Sequence, residues 1–480
     1  MTSTLAVLLS GRLIGQVERT RAGVLRLTYL PEASTPGATP LSLSLPPTEQ
    51  SITGPRVQSF LDGLLPDNSR VRQSIAQVHG ADASDPLSLL AAIGKDCAGA
   101  VQFCPPDQVE QALARTGDLV PVRDSDIEMR LAEIRMDQDA SWTMSEEHWS
   151  LGGGQQKFAL RRTDDGWAEA RGTQPTSHIF KPGIYKLRAQ ALVEHISMRA
   201  ARAIGLDVAH TEYTSFKSED ALVITRFDRV ASPDGTLARV HQEDACQALG
   251  VVEKYEQHGG PRVEDVVTLL RQNSHTAAVG RRNVYRFIDG IILNTVIAAP
   301  DGHARNYALL LDGDQVSLAP LFDVASGLAY SNPSNRVTAM SVAGNFYPET
   351  VTRDDWARLA ERNRLDEAAL IDRVNEVADQ IPDAMRDALD EIDDWDGQSS
   401  ELAKRLLPAM QEHATRVAQR MRSESTPREP VAPPIPNDGL DYGSAQRSHN
   451  GPATATRPYT KKDGTRVKGS RRTPGQNRGN

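Results

Sequence analysis

Apolar and polar residues alternate along the first fifty positions, in LAVLLSGRLIGQVERTRAGVLRLTYL and TPLSLSLPPTEQ, and this period of two predicts short strands. Gly11, Gly15, Gly23, Pro31, Pro36 and Pro40 punctuate them. From 55 to 115 the apolar spacing changes to three and four, in RVQSFLDGLLPDNSRVRQSIAQVHG and DPLSLLAAIGKDCAGAVQF, which predicts helices. A small α+β unit ending near residue 105 follows from these patterns, and nothing in it resembles chemistry. Residues 123–180 return to strand-like patterning. YKLRAQALVEHISMRAARAIGL (185–206) then places Leu192, Ile196 and Ala200 on one helical stripe, with Gly205 as C-cap. Two more strand-like runs, VAHTEYTSF and ALVITRFDRV, precede a mostly helical stretch from 245 to 423. VEDVVTLLRQN, RRNVYRFIDGIILNTVI, RDDWARLAERN and ELAKRLLPAMQEHATRVAQRMR carry its pattern. After Ser423 proline, glycine, serine and asparagine dominate, and 424–480 is predicted to be disordered because it has too little apolar surface to bury.

A chain of 480 residues exceeds one compact core, so two or three domains are expected. No stretch approaches the ~20 apolar residues of a membrane span, and MTSTLAVLLSGRLIG has neither the basic leader nor the long apolar core of a signal peptide. Cys97, Cys104 and Cys246 form no metal or disulfide pattern and read as small hydrophobes of a cytoplasmic protein. The net charge of -9 conceals an asymmetry: residues 451–480 hold eight Lys/Arg against one acid, +7, so residues 1–450 carry -16. Such a tail either meets nucleic acid or an acidic partner, or simply stays solvated; the solvated reading is favoured.

The chemistry concentrates in residues 293–326. An apolar run ends at Pro300, and Asp301, His303, Arg305 and Asn306 crowd the next six positions. Two strand-like runs flank the turn Asp312-Gly313-Asp314, a hairpin signal. Asp323 stands beyond it in the apolar setting LFDVAS, so the fold-back brings it near Asp301 and Asn306. Phosphoryl transfer needs a carboxylate to orient the attacking hydroxyl and hard oxygen ligands for magnesium. In the kinase template the base Asp precedes a metal-binding Asn by five residues, and a second metal Asp follows a hairpin. The six residues alone read equally well as a solvated turn capping a helix; the hairpin and Asp323 tip the reading to catalysis.

Weaker signals stand upstream in the order that kinases use. WSLGGGQQKFALRR carries a glycine triplet, Gly152, Gly153 and Gly154, whose backbone can approach phosphate oxygens, although such a triplet is more often a flexible turn. Lys181 ends a strand-like run and suits phosphate neutralisation. Glu194 on the following helix is positioned to pair with it, or to remain a surface acid. The ALVITRFDRV run would offer hinge backbone to adenine, with Phe227 flanking the base.

The segments SLGGGQQKFAL, HIFKPG, LVITRFDR, HQEDACQALG, YEQHGGP, PDGHARNYALL and LAPLFDVAS, in this order, resemble the HipA-type serine/threonine kinases, the toxin halves of bacterial toxin–antitoxin pairs. The resemblance spans about residues 5–423. It implies an α+β, two-lobed protein-kinase-like fold with an extra small N-terminal α+β subdomain (1–110), a kinase N-lobe (111–240), a helical C-lobe (241–423) and the disordered tail (424–480). It implies ATP and Mg2+ as cofactors, Asp301 as catalytic base, and Asn306 and Asp323 as metal ligands. ATP would be held by the loop from Gly152 to Lys157, including Gln155 and Gln156, and by Lys181. The hinge residues Thr225, Arg226 and Phe227 would join it, together with Gln242, His303, Arg305 and Phe322. Ser150 matches the serine that such kinases autophosphorylate, with expulsion of the glycine loop and loss of activity. Implied partners are a helix-turn-helix antitoxin, operator DNA reached through it, and a protein substrate such as glutamyl-tRNA synthetase, with no membrane.

Three positions depart from the family pattern: Gln156 and Thr225 replace glutamates, and Arg305 replaces a lysine. No required catalytic group is lost. Two other readings use the same residues: a catalytically weak ATP-binding co-repressor, and a small-molecule kinase. The retained Asp301, Asn306 and Asp323 argue against the first, and nothing speaks for the second.

Overall fold

The alternating N-terminal segments form a five-stranded antiparallel sheet ordered Ile52–Thr53, Leu25–Tyr29, Arg12–Arg19, Thr4–Leu9, Val101–Cys104. It belongs to a computed structural model that describes residues 4–423 except 36, 233–234, 333–335 and 394–396, together with the two-residue strands Tyr459–Thr460 and Arg466–Val467. The remainder of the expected disordered segment 424–480 lies outside the described residues. Helices Pro55–Gly63, Ser69–His79 and Pro86–Ile93 occupy the helical stretch read after the first strands. Each starts on a local signal: proline at the first turn of Pro55–Gly63 and Pro86–Ile93, and Asn68 and Asp85 capping the second and third.

A second antiparallel sheet follows, ordered Thr211–Phe216, Glu219–Thr225, His178–Lys181, Phe158–Thr163, Gly166–Ala170, Leu119–Val122. The helix beside it, Gln190–Ala203, is shorter than the 185–206 pattern, and Gly205 takes the left-handed conformation just past its end. The C-terminal lobe holds helices Val263–Asn273, Ala277–Val296, Arg353–Asn363, Glu367–Asp390 and Gln398–Arg422. Among the described residues, no helix is long and apolar enough to cross a membrane.

Packing does not break at residue 110. One apolar cluster runs from Leu5, Phe60 and Phe103 of the N-terminal unit to Phe158, Phe180 and Val223 of the second sheet. A second cluster joins the Gln190–Ala203 helix to the C-terminal lobe. A cavity lined by residues of both halves lies between the two.

A buried ionic cluster fastens the N-terminal unit to the hinge side of the second sheet. Asp96 accepts from Arg229 at 2.8 Å and Arg239 at 2.9 Å, and Arg226 pairs with Asp228 at 2.7 Å. Burial by itself would raise the Asp96 carboxyl, but the guanidinium groups of Arg229, Arg239 and Arg226 outweigh it and hold the group ionised far below the usual range. Asp96→Asn would leave these arginines short of a counter-charge. The expected loss of stability is about 3–5 kcal/mol, read as a lowered urea midpoint; an unchanged midpoint would mean that water or a relaxed rotamer compensates.

Candidate active site

The Ala277–Val296 helix stops ahead of Pro300, and the next turn, including the short 3-10 helix Ala304–Asn306, carries Asp301, His303, Arg305 and Asn306 to the cavity. The hairpin that follows pairs Ala308–Asp312 with Gln315–Leu318, and His241–Asp244 adds a third strand. Its turn is Gly313-Asp314, one residue shorter than the sequence reading, because Asp312 pairs with Gln315 inside the ladder. The returning chain is pinned by Ala209 N–H to Leu321 C=O at 2.8 Å, which delivers Asp323 to the cavity. Asp323 sits at φ +55°, a left-handed conformation that aspartate tolerates better than most residues.

Lys181 donates to Glu194 at 2.8 Å and to Asp323. Burial opposes its charge, yet the two carboxylates hold the ammonium above its ordinary range. Burial likewise would raise Asp323, but Lys181 and Lys157 reverse this and keep it low. Asp301 differs. Burial pushes its carboxyl up to about 6, against the opposing charge of Lys254 and a hydrogen bond from the Tyr255 hydroxyl at 2.9 Å. A carboxylate poised there suits proton acceptance near neutral pH. His303 Nε2 lies 3.7 Å from Asp301, but burial and the charge of Lys254 keep the imidazole neutral, so this contact is no ion pair. Among the described residues its Nδ1 has no hydrogen-bond partner. Asn306 donates to the Asp301 main-chain carbonyl at 2.6 Å, which leaves its Oδ1 available as an acceptor.

The glycine loop packs against the turn after the Pro55–Gly63 helix. A Cβ on Gly152 would stand 2.4 Å from the Gly63 carbonyl oxygen, and Gly153 adopts φ +98°, so both positions demand glycine. Lys157 folds back to the Gly152 carbonyl at 2.8 Å, with burial lowering its amine to about 8. Gln155 bonds Gln190 at 3.0 Å, and Gln190 bonds Glu194 at 3.1 Å, which links the loop to the Lys181 pair.

These elements enclose a cavity of about 200 Å³. Apart from Gln156 and Ser150, every site residue named from the sequence lines it. Gln156 turns away to the Gln138 carbonyl at 2.7 Å. Ser150 is 1% exposed, its hydroxyl donating to the Leu64 carbonyl at 2.7 Å. Arg226 borders the cavity, but its guanidinium is committed to Asp228, Thr176 and the Cys97 carbonyl and is not free for a nucleotide. Phe227 and Phe322 face one another with ring centroids 5.6 Å apart, an apolar end suited to a planar base. Gln242 bonds Asp228 at 3.2 Å beside them. Sequence reasoning passed over Tyr255, Lys254 and Asp67. Tyr255 lay inside the YEQHGGP segment but carried no assigned role, and Asp67 lay in the LLPDN turn of a stretch read as free of chemistry.

Magnesium is bound through one or two protein oxygens and otherwise keeps waters and phosphate oxygens. The donor set of Asp323 and Asn306 Oδ1 fits that demand. Among the described residues no cluster of three His, Cys, Asp or Glu forms a protein-only metal cage.

The family model of the HipA-like C-terminal domain matches residues 149–385, and that of the HipA N-terminal domain matches residues 5–104. The inferred kinase Y4mE of Sinorhizobium fredii is 32% identical over 392 residues, 80% of this chain and 91% of the relative. The chain belongs to the HipA kinase family. The serine/threonine-protein kinase toxin HipA of Shewanella oneidensis is 28% identical over 361 residues, 73% of this chain and 81% of the relative. A solved structure of Shewanella oneidensis HipA with HipB and operator DNA shares the fold at a TM-score of 0.73 and 23% identity, covering 88% of this chain and 100% of that one. The expected α+β kinase-like architecture of the HipA family is thus the fold of this chain.

Proposed function

We propose that the chain is a protein serine/threonine kinase that transfers the γ-phosphoryl group of ATP, with Mg2+, to a serine hydroxyl. The observation that carries this reading is one cavity holding the Lys181–Glu194 pair, Asp301, Asn306 and Asp323 together. Asp301 accepts the hydroxyl proton as the serine oxygen attacks the γ-phosphorus, and the bond to the departing ADP oxygen breaks. Tyr255 orients the Asp301 carboxylate. Lys181 and the glycine-loop N–H groups receive phosphate oxygens, and Phe227 and Phe322 flank the base. Asn306 and Asp323 would hold magnesium, which supplies charge neutralisation on the phosphates.

Family membership supports a finer reading. The substrate is a translation protein such as an aminoacyl-tRNA synthetase, the glutamyl enzyme among them, and its modification arrests growth. A HipB-like helix-turn-helix antitoxin restrains the kinase and brings it to operator DNA as a cytoplasmic co-repressor complex; the Shewanella complex of HipA, HipB and operator DNA is the observation behind this assignment. The unit boundaries at 110, 240 and 423 follow the same reading.

Ser150 is proposed as the self-limiting phosphorylation site. A phosphate dianion has no room where the hydroxyl now meets the Leu64 carbonyl, so modification requires the 150–157 segment to leave the cavity and keeps it out. Intact mass before and after Mg–ATP tests this. One phosphate gained at Ser150 in the wild type, and none in Ser150→Ala, is the expected result. An initially unmodified wild type that gains nothing overturns the autophosphorylation.

A further inference from the structure

Asp67, in a braced turn of the N-terminal unit, pairs with two cations that line the cavity, Lys254 and Arg305. Arg72 donates to the Pro66 carbonyl at 2.6 Å and to Asp62 at 2.9 Å, and Asn68 caps the following helix. From this turn two sets of contacts run in different directions. Toward the glycine loop, the Asp67 N–H donates to the Gly153 carbonyl at 2.9 Å, and the Leu64 carbonyl receives the Ser150 hydroxyl at 2.7 Å. Toward the catalytic segment, the Asp67 carboxylate pairs with Lys254 at 2.9 Å and with Arg305 at 2.6 Å. Arg305 immediately precedes Asn306, and Lys254 immediately precedes Tyr255, whose hydroxyl holds Asp301.

We propose that Asp67 is a positioning residue for phosphoryl transfer, the joint through which the N-terminal unit clamps the glycine loop onto the catalytic segment. The proposal rests on the kinase reading for its consequence, though not for its geometry. A single residue bonds the loop through its main chain and two catalytic-side cations through its side chain, so the loop's closed position and the placement of Lys254 and Arg305 are set together. Both cations are held 17% or less exposed in this arrangement, and such partly buried pairs are screened less than surface ones. The loop is held from two sides, by Gln190 of the neighbouring helix and by a turn more than eighty residues upstream. Asp67 touches neither the reacting atoms nor the base, and acts through Lys254, Arg305 and Gly153.

The test uses the full chain and Asp67→Asn, which keeps the side-chain shape and the N–H to Gly153 but removes the charge that pairs with Lys254 and Arg305. Hydrogen exchange is expected to accelerate about tenfold at residues 151–157. The Thr4–Leu9 strand and the Ala277–Val296 helix should keep their protection. Turnover in ATP-dependent phosphorylation is expected to fall about tenfold with a smaller change in KM for ATP, the signature of lost positioning rather than lost binding. Asp67→Glu, which retains the charge, should restore part of both. Arg72→Gln, which releases the brace on Pro66 and Asp62 but leaves Asp67, Lys254 and Arg305 charged, should give the same pattern more weakly. Unchanged loop exchange in Asp67→Asn and in Arg72→Gln overturns the clamp. Failure of the kinase reading has a separate signature, a wild type without ATP turnover, and the exchange measurement still decides the clamp in that case.

Discussion

Asp301→Asn is expected to bind Mg–ATP with near wild-type affinity and to lose phosphoryl transfer by about 10²–10⁴-fold, the usual contribution of a positioned general base. The substitution is isosteric, and the Asn Oδ1 still accepts from Tyr255, so the turn and the placement of Asn306 are preserved. What disappears is the acceptor for the serine proton. The same carboxyl sets the acid side of the pH profile. With Asp301 raised to about 6 by burial, wild-type turnover should rise with pH through that value and level off above it, because only the ionised form takes a proton. Stability should move the other way. A carboxyl that titrates near 3.9 in the unfolded chain and near 6 when folded disfavours the folded state once the pH exceeds its unfolded value. Removing the charge should therefore raise the melting temperature of Asp301→Asn at neutral pH. A variant that is both fully active and no more stable would remove Asp301 as the base.

What the sequence made legible was local. Asp301 and Asn306 stand five residues apart, and the hairpin that returns the chain to Asp323 spans a dozen, so their grouping follows from turn and strand chemistry. Lys181 and Glu194, thirteen apart, meet because a strand end and the next helix share one connection. The helical lobe was equally readable: Val263–Asn273 and Arg353–Asn363 occupy the segments that the three-and-four spacing marked.

The parts that escaped depend on contacts between distant segments. Asp67 meets Lys254 and Arg305 across 187 and 238 residues, and no periodicity announces such a pairing. A lone acid in LLPDN, between apolar stretches, was the available signal, and proline-aspartate turns are common enough to mask it. Arg226 lies in the expected hinge, whose backbone borders the cavity, while its guanidinium is held by nearby Asp228 and by the Cys97 carbonyl 129 residues away in the N-terminal unit, a contact that no local pattern announces. Gln156 stands outside the cavity lining for a different reason. It alternates with Gln155 and Lys157, and the loop turns its neighbours inward and Gln156 toward Gln138.

Asp323→Asn should weaken Mg–ATP binding about ten- to hundredfold, the equivalent of the ~1.5–3 kcal/mol carried by hydrogen bonds to a charged group. Asparagine is the informative choice because position 323 is held at φ +55°, where alanine would add backbone strain of its own and confuse the outcome. Three consequences follow from the geometry. The metal loses its charged protein ligand and keeps only the neutral oxygen of Asn306. Lys181 loses one of its two carboxylate partners and retains Glu194 at 2.8 Å. The ammonium is then less strongly held, so metal-free ATP should bind almost as well as before, and the defect should appear only when magnesium is present. Titrating nucleotide with and without Mg2+ by calorimetry separates these effects. A loss of affinity equal in both conditions would make Asp323 a partner of Lys181 and nothing more. An affinity unchanged in both would take it out of the nucleotide site and leave Asn306 without a companion ligand.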